Sequence, residues 1–118
     1  MRNFYKLLSL DDRLKKLCIG GIYKDNIPQA IKYPSLLVRD ISLNPTLWAD
    51  NLVIEYEQDI RISVFFRNND DRDIGKIIDD IMTSHNALYV KSQWLRDDIY
   101  NEYYLVMDYR YYLKKGNE

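Results

Sequence analysis

The stretch 54–66, IEYEQDIRISVFF, alternates almost without a break. Ile54, Tyr56, Ile60, Ile62, Val64 and Phe66 fall on one side, and Glu55, Glu57, Asp59, Arg61 and Ser63 on the other. A period of two marks a strand with one dry and one wet face. Gln58 is the one polar residue on the dry side. A few residues later the period becomes that of a helix, with Ile74, Ile77, Ile78, Ile81 and Met82 along one side of residues 70–84. A half-wet strand joined tightly to an amphipathic helix defines a sheet covered by helices on one face, and so an α+β fold.

Working outward, Phe4, Leu7, Leu8, Leu14, Leu17 and Cys18 share one side of a helical wheel, which predicts a first amphipathic helix over 3–18. Gly20 and Gly21 end it, because glycine takes the left-handed turn beyond a helix terminus. Pro28 and Pro34 keep residues 22–34 extended and only partly strand. Residues 35–42, SLLVRDIS, read as a short strand with neither face clean, either flanked on both sides or at an edge. NPTLWADN, 44–51, reads as a hairpin loop that carries Leu47 and Trp48. The strand over 52–67 would span roughly 50 Å at ~3.3 Å per residue, more than a small compact domain holds comfortably. It must therefore project, as an arm built from residues 40–58, or bend at a bulge near Gln58.

Asn68, Asn69 and Asp70 supply capping side chains for the 70–84 helix, while Asp71 and Asp73 suit its positive end. His85 and Asn86 suit the other end. A short strand over 87–95 contains Tyr89 and Trp94, and Asp97 and Asp98 mark a turn. Residues 100–113 alternate again, with Tyr103, Leu105, Met107, Tyr109, Tyr111 and Leu113 opposite Glu102, Asp108 and Arg110. KKGNE, 114–118, is expected to fray. The expected fold is one α+β domain over 1–118. It has a single antiparallel or mixed sheet of about four strands and two amphipathic helices on one face.

At 118 residues the chain can bury roughly two thirds of its unfolded surface and fold without metal or disulfide. A net charge of -1 with 30% charged residues lacks the Lys and Arg excess of a phosphate-backbone binder. A single cysteine, Cys18, reads as a buried thiol in a reducing compartment. The N-terminal MRNFYKLLSLDDR has its apolar run broken by Ser9, Asp11 and Asp12, so it offers no signal-peptide core and no membrane span. The expected setting is cytoplasmic.

Chemistry-bearing motifs are sparse. With one His and one Cys, a metal site would need carboxylates alone, and Asp70, Asp71 and Asp73 form the only dense cluster. It fails as a calcium loop, having no glycine at the sixth position and no glutamate at the twelfth, and reads as the acidic start of a helix. Asp79 and Asp80 read as the solvated face of that helix. A nuclease strand usually places lysine two positions after an acid; here Glu57, Asp59 and Arg61 follow Glu55, Glu57 and Asp59. The acids and Arg61 are better explained as water-facing or as a charge ladder against a neighbouring subunit. His85 has no nucleophile partner by motif, and Gly20-Gly21 is no phosphate loop. No catalytic residue, metal or cofactor is expected. The eleven tyrosines concentrate in the last strand, where Tyr104, Val106 and Tyr112 lie on the less buried face. They suit subunit contact better than base stacking in a neutral chain.

Several of these segments, taken in order, carry a resemblance. They are Gly21-Ile22-Tyr23, Ile27-Pro28-Gln29, and Tyr33-Pro34 opening a strand. Then come the charged alternating strand ending in Val64-Phe65-Phe66, Ile77-Ile78-Asp79-Asp80-Ile81-Met82 in the helix, and Tyr109-Arg110-Tyr111 in the closing strand. Over residues 5–113 the chain resembles the tail-completion, or tail-to-head joining, proteins of long-tailed bacteriophages and prophages. The resemblance implies a non-enzymatic structural protein that forms a homo-oligomer, typically a hexameric ring, between the tail-tube protein and the head connector. It implies assembly in the host cytoplasm, a final place at the head-tail junction of the virion, and DNA passing through the lumen without specific binding. Head closure or a minor tail role fits the same features, and a nucleic-acid-binding regulator fits them less well. The residues expected at a subunit or partner interface are Leu47, Trp48, Glu55, Glu57, Asp59, Arg61, Tyr104 and Tyr112.

Overall fold

The computed structural model describes residues 1–29, 32–67, 73–99 and 101–114. In chain order these form α1 (Phe4–Ser9), α2 (Asp12–Leu17), β1 (Ile22–Lys24), β2 (Ser35–Ala49), β3 (Leu52–Phe66), α3 (Asp73–Ser84), β4 (Leu88–Asp97) and β5 (Glu102–Lys114). The strands make one mixed sheet in the order β1-β2-β3-β5-β4, with β1 parallel to β2 and every other pair antiparallel. The fold is α+β, as its periodicities predict. Among the described residues it has five strands and three helices, where about four and two were expected.

The extra helix arises at Asp11. Its carboxylate accepts hydrogen bonds from the backbone N–H groups of Arg13 (3.0 Å) and Leu14 (3.2 Å), so the chain restarts there instead of running on from α1. The two short helices still turn the predicted side inward, and Phe4, Leu8, Leu14 and Cys18 are buried. They join Ile74, Ile78 and Met82 of α3 over Leu36, Val38, Ile60, Ile62, Val64, Leu105 and Met107 of the sheet. Each such fully buried aliphatic side chain stabilises the fold by about 1.5–3 kcal/mol relative to exposure. Gly75 lets α3 lie close to β5, since a Cβ there would stand 2.8 Å from Leu105 Cδ2. Gly20 is tighter still: a Cβ would meet the Lys32 carbonyl oxygen at 1.8 Å.

β2 is the main correction. The predicted loop over 44–51 is strand as far as Ala49, and only Asp50 and Asn51 turn, with φ of 50° and 63°. Both are in the left-handed region that a tight two-residue hairpin requires, and Asp and Asn tolerate it best after glycine. Pro45 sits within this strand, which is permissible because that part of β2 is an edge.

Projection and bending both occur. The molecule measures 53 × 29 × 23 Å, and β5 accompanies β3 as far as Glu55, so the hairpin tip is what stands beyond it. Gln58 itself stays in register with Leu43 on one side and Tyr111 on the other, and the bends lie beside it, opposite Asp59 and Ile60, and farther toward the tip. They come from inserted residues, Ile41 and Thr46 in β2 and Ile54 in β3. Gln58 is fully buried because it ties down the N-terminus. Its Oε1 accepts from the Arg2 N–H (3.1 Å), and its Nε2 donates to the Arg2 carbonyl (3.0 Å) and to Asp40 (2.8 Å).

The predicted caps at Asn68, Asn69 and Asp70, the early acid Asp71, and most of the predicted tail lie outside the described residues. Asp73 opens α3, and Asn86 takes the left-handed φ of 68° just past its end. Asp79 is not simply solvated. Its carboxylate accepts from the Tyr109 hydroxyl at 2.7 Å, clasping α3 to β5, and burial together with that bond pushes the Tyr109 hydroxyl far above its ordinary pKa.

Candidate interaction surfaces

The face of the sheet away from the helices carries Glu55, Glu57, Asp59 and Arg61 of β3. In register beside them stand Lys114, Tyr112, Arg110 and Asp108 of β5. Paired residues of neighbouring strands share a face and stand close enough to bond. Arg61 grips Asp108 with two bonds, Nε to Oδ1 at 2.9 Å and Nη2 to Oδ2 at 3.2 Å. Arg110 Nε lies 2.9 Å from Asp59 and 2.8 Å from Glu57. Ser42 donates to Asp59 (2.9 Å), and Thr46 donates to Glu55 (3.2 Å). The hydrogen bond from Arg61 to Asp108 raises the guanidinium's pKa, and Asp59 does the same for Arg110. The charge ladder expected against another subunit is thus already closed within the chain for Glu57, Asp59 and Arg61.

A hollow of about 240 Å³ opens on this face between two inserted residues, Ile41 in β2 and Val90 in β4. Asp59, Arg61, Lys91, Asp108 and Arg110 line it, and they bond one another across it. Among the described residues no three His, Cys, Asp or Glu side chains converge as a metal ion would require. No helix among them is long and apolar enough to cross a membrane.

Tyr104 stands at the other end of the same face. Its ring meets Phe65 edge-on at 5.1 Å, and its hydroxyl donates to Glu102, which also accepts from Tyr33. The bonds from Tyr104 and Tyr33 hold the Glu102 carboxyl below its usual range. The Arg67 guanidinium lies over the Tyr33 ring, 4.9 Å from its centre. Tyr112 lies beside Glu57 and is exposed. Leu47 and Trp48 stand near the hairpin tip, 48% and 59% exposed, on a strand instead of the predicted loop. The eight expected interface residues therefore share the sheet and its hairpin without meeting in one patch.

The strand predicted over 87–95 forms as β4, Leu88–Asp97. Leu88, Tyr89, Val90, Trp94 and Leu95 are all exposed on this outermost strand. Their apolar character was visible in the sequence, but none of them is among the expected interface residues, because the outermost place of β4 in the sheet leaves no local pattern. A scan against protein-family models finds no match for this chain, and no curated protein matches it.

Proposed function

We propose that this chain is a structural protein of phage or prophage virion assembly, one that closes the tail tube and joins it to the head connector as a ring of identical subunits. The observation that carries the reading is β4. A ten-residue strand ends the sheet with no strand among the described residues on its outer edge, and large apolar side chains stand exposed on both its faces. Exposed apolar surface on an open strand edge marks a place where another chain binds. A second exposed apolar group, at the hairpin tip, includes Leu47, Trp48 and Leu52. Two different patches on one chain suit the heterologous contacts that close rings. The internally neutralised charge ladder suits a structural role better than catalysis. Tail completion, as distinct from head closure or a minor tail role, rests on the sequence resemblance.

Sedimentation velocity over a wide concentration range, with electron microscopy of the purified protein, tests this reading. Rings are expected, and tail-tube protein from the same genome should bind one of their faces. A chain that stays monomeric at all concentrations, with or without that tube protein, overturns it.

A further inference from the structure

His85 is the single histidine of the chain, and it stands just past the end of α3. The Arg2 guanidinium aims Nη2 at its Nδ1, 3.0 Å away. A guanidinium only donates, so this contact fixes the state of the ring: Nδ1 is the acceptor, Nε2 carries the proton, and the imidazole is neutral.

Little else holds the Arg2 head group. Its Nε is buried without a hydrogen-bond partner, and the Phe4 and Tyr111 ring centres lie 5.9 and 5.7 Å from its Cζ, near the outer limit of a cation–π contact. The Arg2 backbone, by contrast, is bonded through both its N–H and its carbonyl to the Gln58 side chain. Residues 1–3 thus form a strap at the border where the helical layer ends. Gln58 beneath it is fully buried, while Ile54, farther toward the hairpin tip, is 37% exposed.

The charged and titratable groups of the neighbouring elements are committed elsewhere or offer His85 no anion. β2 brings Asp40, which accepts from Gln58 Nε2 at 2.8 Å, and α3 brings Asp79, which accepts from the Tyr109 hydroxyl, with Asp80 beside it. β5 brings Tyr111, β4 Tyr89, and the strap and α1 the Met1 amino group, Tyr5 and Lys6. Among the described residues no carboxylate pairs with His85 or with Arg2. Histidine takes up its proton between neutral and mildly acid pH. On His85 that proton removes the acceptor and sets a second positive charge beside the first. Even screened as in bulk water, two unit charges at such a separation disfavour the contact roughly tenfold.

We propose that Arg2 and His85 form a pH-sensitive latch. At neutral pH the imidazole holds the N-terminal strap over Gln58, and protonation of His85 releases it, opening the border between the helical layer and the projecting hairpin. The latch works within one chain and requires no assembly.

The Gln58 side-chain amide reads the strap, because it donates to the Arg2 carbonyl only while the strap is in place. Its hydrogen exchange is followed by NMR in the full chain from about pH 7.5 to about pH 5.5, as protection relative to a free glutamine amide at each pH, alongside the ring signals of His85. In the wild type, protection should fall about tenfold, in step with the titration of the ring. In His85→Gln, which stays neutral and keeps an amide oxygen as acceptor, protection should hold to within about twofold. In Arg2→Ala the strap should be loose throughout and the pH dependence absent, and this variant decides alone if His85→Gln does not fold. Wild-type protection that does not change with pH overturns the latch, as does a fall that persists in His85→Gln or in Arg2→Ala. Circular dichroism at both ends of the range separates local from global opening, and unfolding of the whole wild-type chain at the acid end also overturns it.

Discussion

The two halves of β3 have the same alternating pattern and opposite fates. Ile62 and Val64 are fully buried beneath the helices, whereas Leu52 and Ile54, near the other end of the same strand, are 59% and 37% exposed. The helices cover one half of the sheet and stop, and the hairpin continues beyond them. Alternation therefore records a face that can be covered, and which half is covered depends on where the helices happen to end.

The most direct way to break this contrast is a matched pair of truncations in dilute, monomeric protein. Ile62→Ala should lower stability by about 3 kcal/mol, through lost transfer energy and an unfilled cavity. Leu52→Ala should change it by no more than ~0.5 kcal/mol. Urea unfolding followed by circular dichroism reads both. Equal losses would mean that the tip is buried in the monomer after all.

A smaller effect lies at the clasp that fastens the covered half. Tyr109→Phe keeps the ring that meets Tyr89 edge-on at 5.9 Å but removes the hydroxyl bonded to Asp79. A hydrogen bond to a charged group contributes about 1.5–3 kcal/mol, and the partly exposed Asp79 can recover some of that from water, so a loss of about 1.5 kcal/mol is expected. Asp79→Asn should cost less, because its amide oxygen still accepts. If Tyr109→Phe is neutral in urea unfolding, the clasp does not hold α3 to β5.

The same division explains what was legible in the sequence. The dry residues of β3, the apolar stripe of α3 and the alternation of β5 were all readable, because each faces a core on one side and water on the other. The distal part of β2 was not. Leu43, Pro45, Leu47 and Trp48 are exposed on both faces, so burial imposes no period there, and Pro45 with Asp50-Asn51 mimics the composition of a loop. The break between α1 and α2 was hidden because Asp11 lies within a pattern that one continuous helix satisfies equally well. The candidate surface was half legible. Trp48 and the acids of β3 drew notice, and Asp108 and Arg110 were placed on the correct face. That Arg61 meets Asp108 follows from β5 lying beside β3, an adjacency between strands distant in sequence that no local pattern records.

The base of the open face has its own test, in pH. Bonds from Tyr104 and Tyr33 depress the Glu102 carboxyl in the folded state. A depressed carboxylate pKa contributes stability that is present above the unfolded value, ~4.3, and is lost as pH falls through the folded value. Between pH 7 and pH 3 the wild-type urea midpoint should therefore fall more steeply than that of Glu102→Gln. Identical slopes would show that the tyrosine bonds do not favour the ionised form.

The smallest expected effect decides whether the ladder belongs to the monomer. Arg61 is 41% exposed, and exposed pairs contribute at most about 1 kcal/mol because water and salt screen them. A double-mutant cycle of Arg61→Ala and Asp108→Ala in monomeric protein should give a coupling of about 0.5 kcal/mol, favoured by the two-bond geometry. In 1 M salt, where the screening length is ~3 Å, most of it should disappear. A coupling that appears only at concentrations where the protein assembles would place the pair in a subunit contact. Coupling in the monomer, with assembly unaffected by either substitution, makes the ladder an internal brace of the open face.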